Sequence, residues 1–269
     1  MRNAIDASAA LAQRSVSVFP QGSYRNRTNV RADSDVDVCV HCTDTMYYEL
    51  PEGATPAQFG IKPPATYTYV QFRVDVQNAL LAHFGNSSVQ AGTKAFDVHA
   101  NTYRIDADVL PCFTYKRYWG VDSEPTVGTA FLSGGALIHN YPQQHYDSGV
   151  AKNKETGRRF KGMARVLKSL RCEMVDSKNA SATGMTSFLL ESLVWNVPTP
   201  TFNTDESNRL LLRSIIIYLY DNTATDKLCE EWTEVNGIKY LFRSTQPWAR
   251  EAVRTFLSDA WLYAEMTQL

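Results

Sequence analysis

The chain has 269 residues, 44% of them hydrophobic, which is enough for two packed lobes or one large domain whose core needs no staples. A net charge of −1 and a pI near 6.5 offer no broad electrostatic hold on DNA or RNA, so strong nucleic-acid binding is not expected. The longest apolar run, LLLRSIIIYLY, is interrupted by Arg213 and falls short of the roughly 20 residues that cross a bilayer; with five irregularly spaced cysteines and no signal peptide in MRNAIDASAALAQRS, the expectation is a reduced, cytoplasmic protein without a disulfide framework.

Residues 4–15 read as a helix, and Val16 to Gln21 lead into a Gly-Ser pair, Gly22 and Ser23. After a polar loop comes SDVDVCVH, where Val36, Val38 and Val40 alternate with Asp35, Asp37 and Cys39 at the period of a strand. YTYVQFRVDVQNALLAHFG places Val70, Val74, Leu80, Leu81 and Phe84 at helical spacing and ends on Gly85. Three further strands are read in VQAGTKAFDVHA, YRIDADVLPCFTY and TAFLSGGALIHNY. Beyond about residue 150 the pattern is helical, over 154–175, 186–196, 205–220 and 247–266. Strands first and helices last divide the chain into a mixed lobe, 1–150, and a helical lobe, 151–269.

Two aspartates one residue apart usually mark the solvated face of an edge strand. Here the opposite face is apolar, so the carboxylates of Asp35 and Asp37 are presented from a strand packed on its other side. The Gly-Ser pair lies upstream, where glycine lets the backbone approach an anion and serine adds a hydroxyl donor. IDADVLP supplies further carboxylates, Asp106 and Asp108, on another strand. Acids gathered in this way repel one another unless a cation neutralises them, and Mg²⁺, with its preference for oxygen ligands and substrate phosphates, suits that role.

In RRFKGMARVLKSLR, at about 100° per residue, Lys161, Arg165 and Lys168 fall in one stripe and Met163, Leu167, Leu170 and Met174 on the opposite side. Such a basic stripe is either a solvated face or a phosphate clamp. CVHC, Cys39 to Cys42, alternates along a strand and has no second ligand pair at zinc spacing. His139, Asn140 and His145 read equally as site-facing or as turn and capping residues around Pro142.

The ordered set QGSYRNRTNVRADSDVDVCV, DADVLPCF, IHNYPQQHYDSG, RRFKGMARVLKSLR and SFLLESLVWNVP resembles the CD-NTase family. These are bacterial anti-phage (CBASS) relatives of cyclic GMP-AMP synthase and oligoadenylate synthetase, within the DNA polymerase β-type nucleotidyltransferase superfamily. The resemblance implies an α+β fold: a polymerase β-like lobe with a mixed sheet, then a helical lobe, with the active site in the cleft between them. It implies template-independent synthesis of a cyclic di- or oligonucleotide from ribonucleoside triphosphates. The alternative it leaves open is transfer to an RNA, protein or small-molecule acceptor.

Carried over residue by residue, Gly22 and Ser23 hold the β and γ phosphates, and Asp35, Asp37 and Asp108 bind two Mg²⁺ ions, for which Mn²⁺ substitutes. Asp108 is preferred to Asp106 because the family's acid precedes two apolar residues and Pro. Lys168, with Arg165 one turn before it, is placed at the triphosphate. Ser187 is read as a γ-phosphate contact or a helix cap, and Phe188 as a base-stacking ring or core. The expected partners are the triphosphates, a separate effector protein that senses the product, and a regulatory protein. The resemblance also leads us to expect more chain than the 21 residues before Gly22, hence either a short version or a start downstream of the true one.

Overall fold

The computed structural model describes residues 1–30, 35–101, 105–203 and 207–266. They form two compact units, Met1–Tyr24 with Asp33–Pro142 and Arg25–Ala32 with Gln143–Leu269. The division thus falls near residue 142, and a short segment from the first motif belongs with the helical residues.

The first unit is built on one seven-stranded sheet: β1 (Val16–Pro20), β2 (Val36–Glu49), β3 (Val89–Ala91), β4 (Phe96–Val98), β5 (Ala107–Arg117), β6 (Thr126–Ser133) and β7 (Ala136–Asn140). Their lateral order is β1-β2-β5-β4-β3, with β6 beside the second half of β5 and β7 beside β6. β2 and β5 run parallel and their neighbours antiparallel, so the sheet is mixed. Cys39 and Val40 are both fully buried, which shows that the middle of β2 is covered on both faces. The apolar segment TAFLSGGALIHNY is a hairpin rather than one strand. Gly134 and Gly135 both take positive φ at its two-residue turn, a conformation that suits glycine.

Helix α1 (Arg2–Asp6) is much shorter than the expected 4–15, and α2 (Gly22–Asn26) begins at the Gly-Ser pair. Helix α3 (Tyr69–Phe84) starts at a Thr68–Gln71 capping box and stops at Gly85. Its buried face is Tyr69, Phe72, Val76, Ala79 and Leu80, whereas Val70 and Val74 are 66% and 47% exposed. Two apolar stripes share the helical period. Packing of Phe72 on Phe113 of β5, with ring centroids 5.3 Å apart, selects the one that faces the sheet.

Cys39 and Cys112 are joined as a disulfide, with Cα atoms 6.8 Å apart, which corrects the expectation of none. Strand register places them near one another: His41 pairs with Cys112 and Cys39 lies two residues away. Spacing along the chain carries no such signal.

In the second unit, the expected helix over 154–175 is two helices, α4 (Pro142–Glu155) and α5 (Arg159–Asp176). Gly157 and Arg158, both at positive φ, make the break. Then follow α6 (Ala180–Thr183), α7 (Ser187–Trp195), α8 (Thr199–Phe202), α9 (Asn208–Asn222), α10 (Asp226–Cys229) and α11 (Arg250–Tyr263). Residues 205 and 206, where the pattern starts the helix observed as α9, lie outside the described residues. Phe160, Leu167 and Met174 of α5 pack into one core with Leu190 and Leu193 of α7, Ile215 and Leu219 of α9, and Phe256 of α11. Among the described residues, no helix is long and apolar enough to cross a membrane.

Candidate active site

Three carboxylates line up across the sheet of the first unit. Asp37 on β2 is in register with Asp108 on β5, and Asp108 with Asp97 on β4. Residues directly opposite one another share a face, so the three acids stand side by side on it. Asp35, exposed, precedes Asp37 by two residues.

Burial, followed by the charge of Asp35, raises the Asp37 carboxyl above the ordinary carboxylate range against an opposing backbone hydrogen bond. Burial and then the charges of Asp35, Asp97 and Asp37 push Asp108 up to about 6, with a hydrogen bond from the Asp97 side chain adding to the rise. The row gathers like charges beside one another, and burial together with those charges raises the carboxyls of Asp37 and Asp108.

The Gly-Ser turn is packed directly against this row. Gln21 N–H donates to the Asp37 carbonyl at 2.9 Å as the chain leaves β1. Gly22 then takes φ +65°, and a Cβ built on it would stand 1.8 Å from Asp37 Oδ2. Glycine is therefore required twice over, for its backbone conformation and for the space beside the carboxylate. Ser23 follows, half-buried in the first turn of α2.

Asp106 is engaged elsewhere. Its Oδ1 accepts from Ala100 N–H at 2.6 Å and lies 3.8 Å from His99 Nδ1, which leaves Asp108 as the acid in register with Asp37. Asp97 was not among the residues expected from sequence. Its signal is present in AFDVHA, where a carboxylate sits between buried Phe96 and Val98 as Asp37 sits between two valines.

Within the helical unit, Lys168, expected on a cationic face at the triphosphate, is buried. The residue is 1% exposed, and its Nζ donates to Glu191 Oε2 at 2.6 Å, to Thr28 Oγ1 at 3.0 Å and to the Thr28 carbonyl at 3.3 Å. All three ammonium donors are used. Thr28 Oγ1 donates to the same Glu191 oxygen at 2.6 Å, and His145 Nε2 is 3.1 Å from Oε1. Burial alone would raise the Glu191 carboxyl, but the hydrogen bond from His145 and the charge of Lys168 outweigh it and hold it well below the usual range. The basic stripe of α5 is thus split: Lys161 and Lys168 point inward, and Arg165 is exposed, with its guanidinium donating to the Arg27 carbonyl at 2.8 Å.

At α7, Thr186 is the cap, accepting from Leu189 N–H, and this frees Ser187 from that role. Ser187 Oγ instead accepts from Arg171 at 3.2 Å, so the cation beside it is Arg171, a residue the helical stripe did not single out. Phe188 is not core. It is 37% exposed, stacked on Trp248 with centroids 6.0 Å apart and tilted against His145. His139 stacks on Tyr115, and His41 Nε2 lies 3.0 Å from Thr114 Oγ1.

Residues 147–265 match the cGAS/DncV-like nucleotidyltransferase C-terminal helical domain. The cyclic dipyrimidine nucleotide synthase CdnE of Legionella pneumophila is 42% identical over 98% of this chain and 89% of its own length. The synthase of the same name from Cecembia lonarensis is 39% identical over 98% of this chain and 90% of its own. The chain belongs to the CD-NTase family. The structure of Rhodothermus marinus CdnE c-UMP-AMP synthase with Apcpp and Upnpp superposes with a TM-score of 0.86 at 30% identity, covering 100% of this chain and 90% of that one. This CD-NTase therefore has the α+β nucleotidyltransferase fold, and it is a nucleotidyltransferase.

Nucleotidyltransferases of this kind generally use divalent metals, and the donor set here suits one. Among the described residues, no three His, Cys, Asp or Glu side chains are already gathered closely enough to enclose an ion. The fit lies in the chemistry: Asp35, Asp37 and Asp108 offer hard oxygen donors, and Asp37 and Asp108 are raised by burial and by the neighbouring acids. A cation placed there removes the repulsion that the row otherwise carries.

Proposed function

We propose that this CD-NTase joins two ribonucleoside triphosphates, without a template, into a cyclic dinucleotide that serves as a signal in anti-phage defence. The observation that supports this reading best is the in-register pair Asp37 and Asp108 with Gly22 packed onto it. Its two most similar relatives named above are both cyclic dipyrimidine synthases, so pyrimidine nucleotides are the proposed substrates.

In each half-reaction a ribose hydroxyl attacks the α phosphorus of a triphosphate. One P–O bond forms, the bond to the β phosphate breaks, pyrophosphate leaves with the electron pair, and the hydroxyl proton passes to solvent. A second round in the reverse sense closes the ring. Phosphoryl transfer of this type asks the protein for positioning and charge neutralisation more than for covalent help. Asp35, Asp37 and Asp108 would hold two Mg²⁺ ions, which when bound supply a lowered hydroxyl pKa and compensate the charge on the departing pyrophosphate.

Gly22, lacking a side chain beside Asp37, lets backbone approach phosphate, and Ser23 adds a hydroxyl donor. From the helical unit, Ser187 held by Arg171 is the proposed phosphate contact, and exposed Arg165 is a further nucleotide contact. Lys168 is given no part in binding, because its donors are consumed. The test is mass spectrometry of products after incubation with all four ribonucleotides and Mg²⁺ or Mn²⁺, with label from the α phosphate followed into a species that phosphatase cannot attack. Label that stays phosphatase-sensitive, or that migrates with an acceptor, overturns the reading.

A further inference from the structure

The sheet of the first unit carries a second concavity, far from the carboxylate row. β2 leaves its pairing with β5 between Cys42 and Met46, so that Thr43, Asp44 and Thr45 bulge out of the ladder. This bulge and the loop that includes Phe59 and Lys62 wall a cavity of about 1150 Å³. Counted along β5, Lys116 in its lining is eight residues from Asp108, about 26 Å at the usual strand rise. The cavity is a separate place in the same unit.

Its chemistry is uneven in an informative way. Tyr48 and Lys116 are in register on β2 and β5 and therefore share a face, and Tyr118 follows Lys116 two residues on. The Tyr118 ring lies 4.9 Å from that of Phe59, and Tyr48 is 40% exposed although it lines a concave surface. Among the described residues, neither Lys116 nor Lys62 has a carboxylate partner, while the one acid in the lining, Asp44, accepts from the Ser15 N–H, so two lysines stand against one carboxylate. The exposed Tyr48 ring beside two lysines without carboxylate partners matches a flat ring that carries negative charge, since the ring stacks and the lysines meet the phosphate as point charges. The size exceeds what one base requires and suits a dinucleotide.

We infer that this cavity binds a base-bearing phosphate ester, either the triphosphate substrate or the cyclic product, at a site distinct from the catalytic carboxylates. The assignment of those two ligands rests on the function proposed above. Occupancy by product places a sensor of product concentration on the sheet that holds the catalytic acids.

The experiment measures binding of synthetic cyclic di-UMP and, separately, of UTP by equilibrium dialysis in EDTA to the full chain, to Lys62→Glu, to Lys62→Glu/Lys116→Glu and to Asp37→Asn. Turnover of ribonucleotides is followed in the same preparations. The expected result is binding that falls about tenfold or more in the lysine variants and is unchanged in Asp37→Asn, while the initial rate of turnover in the lysine variants stays within about twofold of the parent. Cyclic di-UMP as the stronger ligand identifies the product as the occupant, and UTP identifies the substrate. Lys62 is an exposed loop residue, so its single variant keeps the test independent of any folding defect in the double variant. Binding of neither ligand overturns the inference, as does binding lost in Asp37→Asn and kept in the lysine variants. Turnover to cyclic product without cavity binding sinks the cavity alone, whereas absence of cyclic product sinks the functional reading on which its ligands rest.

Discussion

The carboxylate row of the sheet and the Lys168–Glu191 cluster of the helical unit both take charge out of water, and they resolve it in opposite ways. In the cluster every charge has an answer: ammonium, carboxylate, imidazole and the Thr28 hydroxyl satisfy one another. In the row, burial and the like charges gathered there push the Asp37 and Asp108 carboxyls toward the protonated form. A buried charge that is completed internally serves the fold, and one left incomplete is available to a ligand.

The largest effect expected from breaking this contrast is on chemistry. Asp37→Asn should lower the rate of product formation by about 10³-fold or more, because a carboxylate proposed to hold the metal is lost, while circular dichroism and the melting transition remain those of a folded protein. A variant with near-normal rate would remove Asp37 from the reaction.

In the helical unit the effect should fall on stability instead. Lys168→Met leaves Glu191 buried without its ion-pair partner and should cost about 3–5 kcal/mol in urea denaturation. Replacing both partners, as in Lys168→Met/Glu191→Leu, should cost less than the sum of the single changes. A stable single variant with a raised KM for nucleotide would return Lys168 to the binding site.

The two regions should also respond to pH with opposite sign in metal-free protein. Burial and the neighbouring acids raise the Asp108 carboxyl from the ordinary aspartate range to about 6, so its ionisation opposes folding: the stability linked to it is present at low pH and is lost as pH rises through 6. Asp108→Asn should therefore be the more stable protein at pH 8, with an advantage that shrinks toward pH 4. Glu191 is held below its ordinary 4.5, so its contribution is present above that value and fades as pH falls below it. The deficit of Glu191→Gln should accordingly narrow in acid. Parallel denaturation series at several pH values check both signs.

The smallest change is expected at Asp106→Asn. Asp106 meets the backbone of Ala100 rather than the row, so the rate should stay within about tenfold of the parent, against the collapse expected for Asp108→Asn. The reverse ranking would exchange the two acids.

Much of the candidate site was legible because its signals are short. Gly22 and Ser23 precede the alternation of Asp35 and Asp37 with valines, and Asp108 repeats that pattern before Leu110 and Pro111, so type and spacing marked as candidates the residues that the fold brings together at Asp37, Asp108 and Gly22. The C-terminal end of α3 was equally plain, since Gly85 closes it, whereas its start at the Thr68–Gln71 capping box was not singled out. Which stripe of α3 faces the sheet was not plain, because two stripes share the same period and only contact with Phe113 separates them.

By itself, then, the amino-acid order determined the elements and the acids that could meet, since strand and helix periods and the conformational freedom of glycine act over a few residues. Tertiary structure decided which of them did meet. Asp97 joins Asp108 through strand register, and Lys168 turns from apparent clamp to anchor because Thr28, 140 residues away, and Glu191, 23 residues away, are brought to its ammonium. A charge reads the same in sequence whether it faces water, phosphate or a buried counter-charge. Its role depends on the partner that folding brings within about 3 Å, and that partner's distance along the chain follows no period.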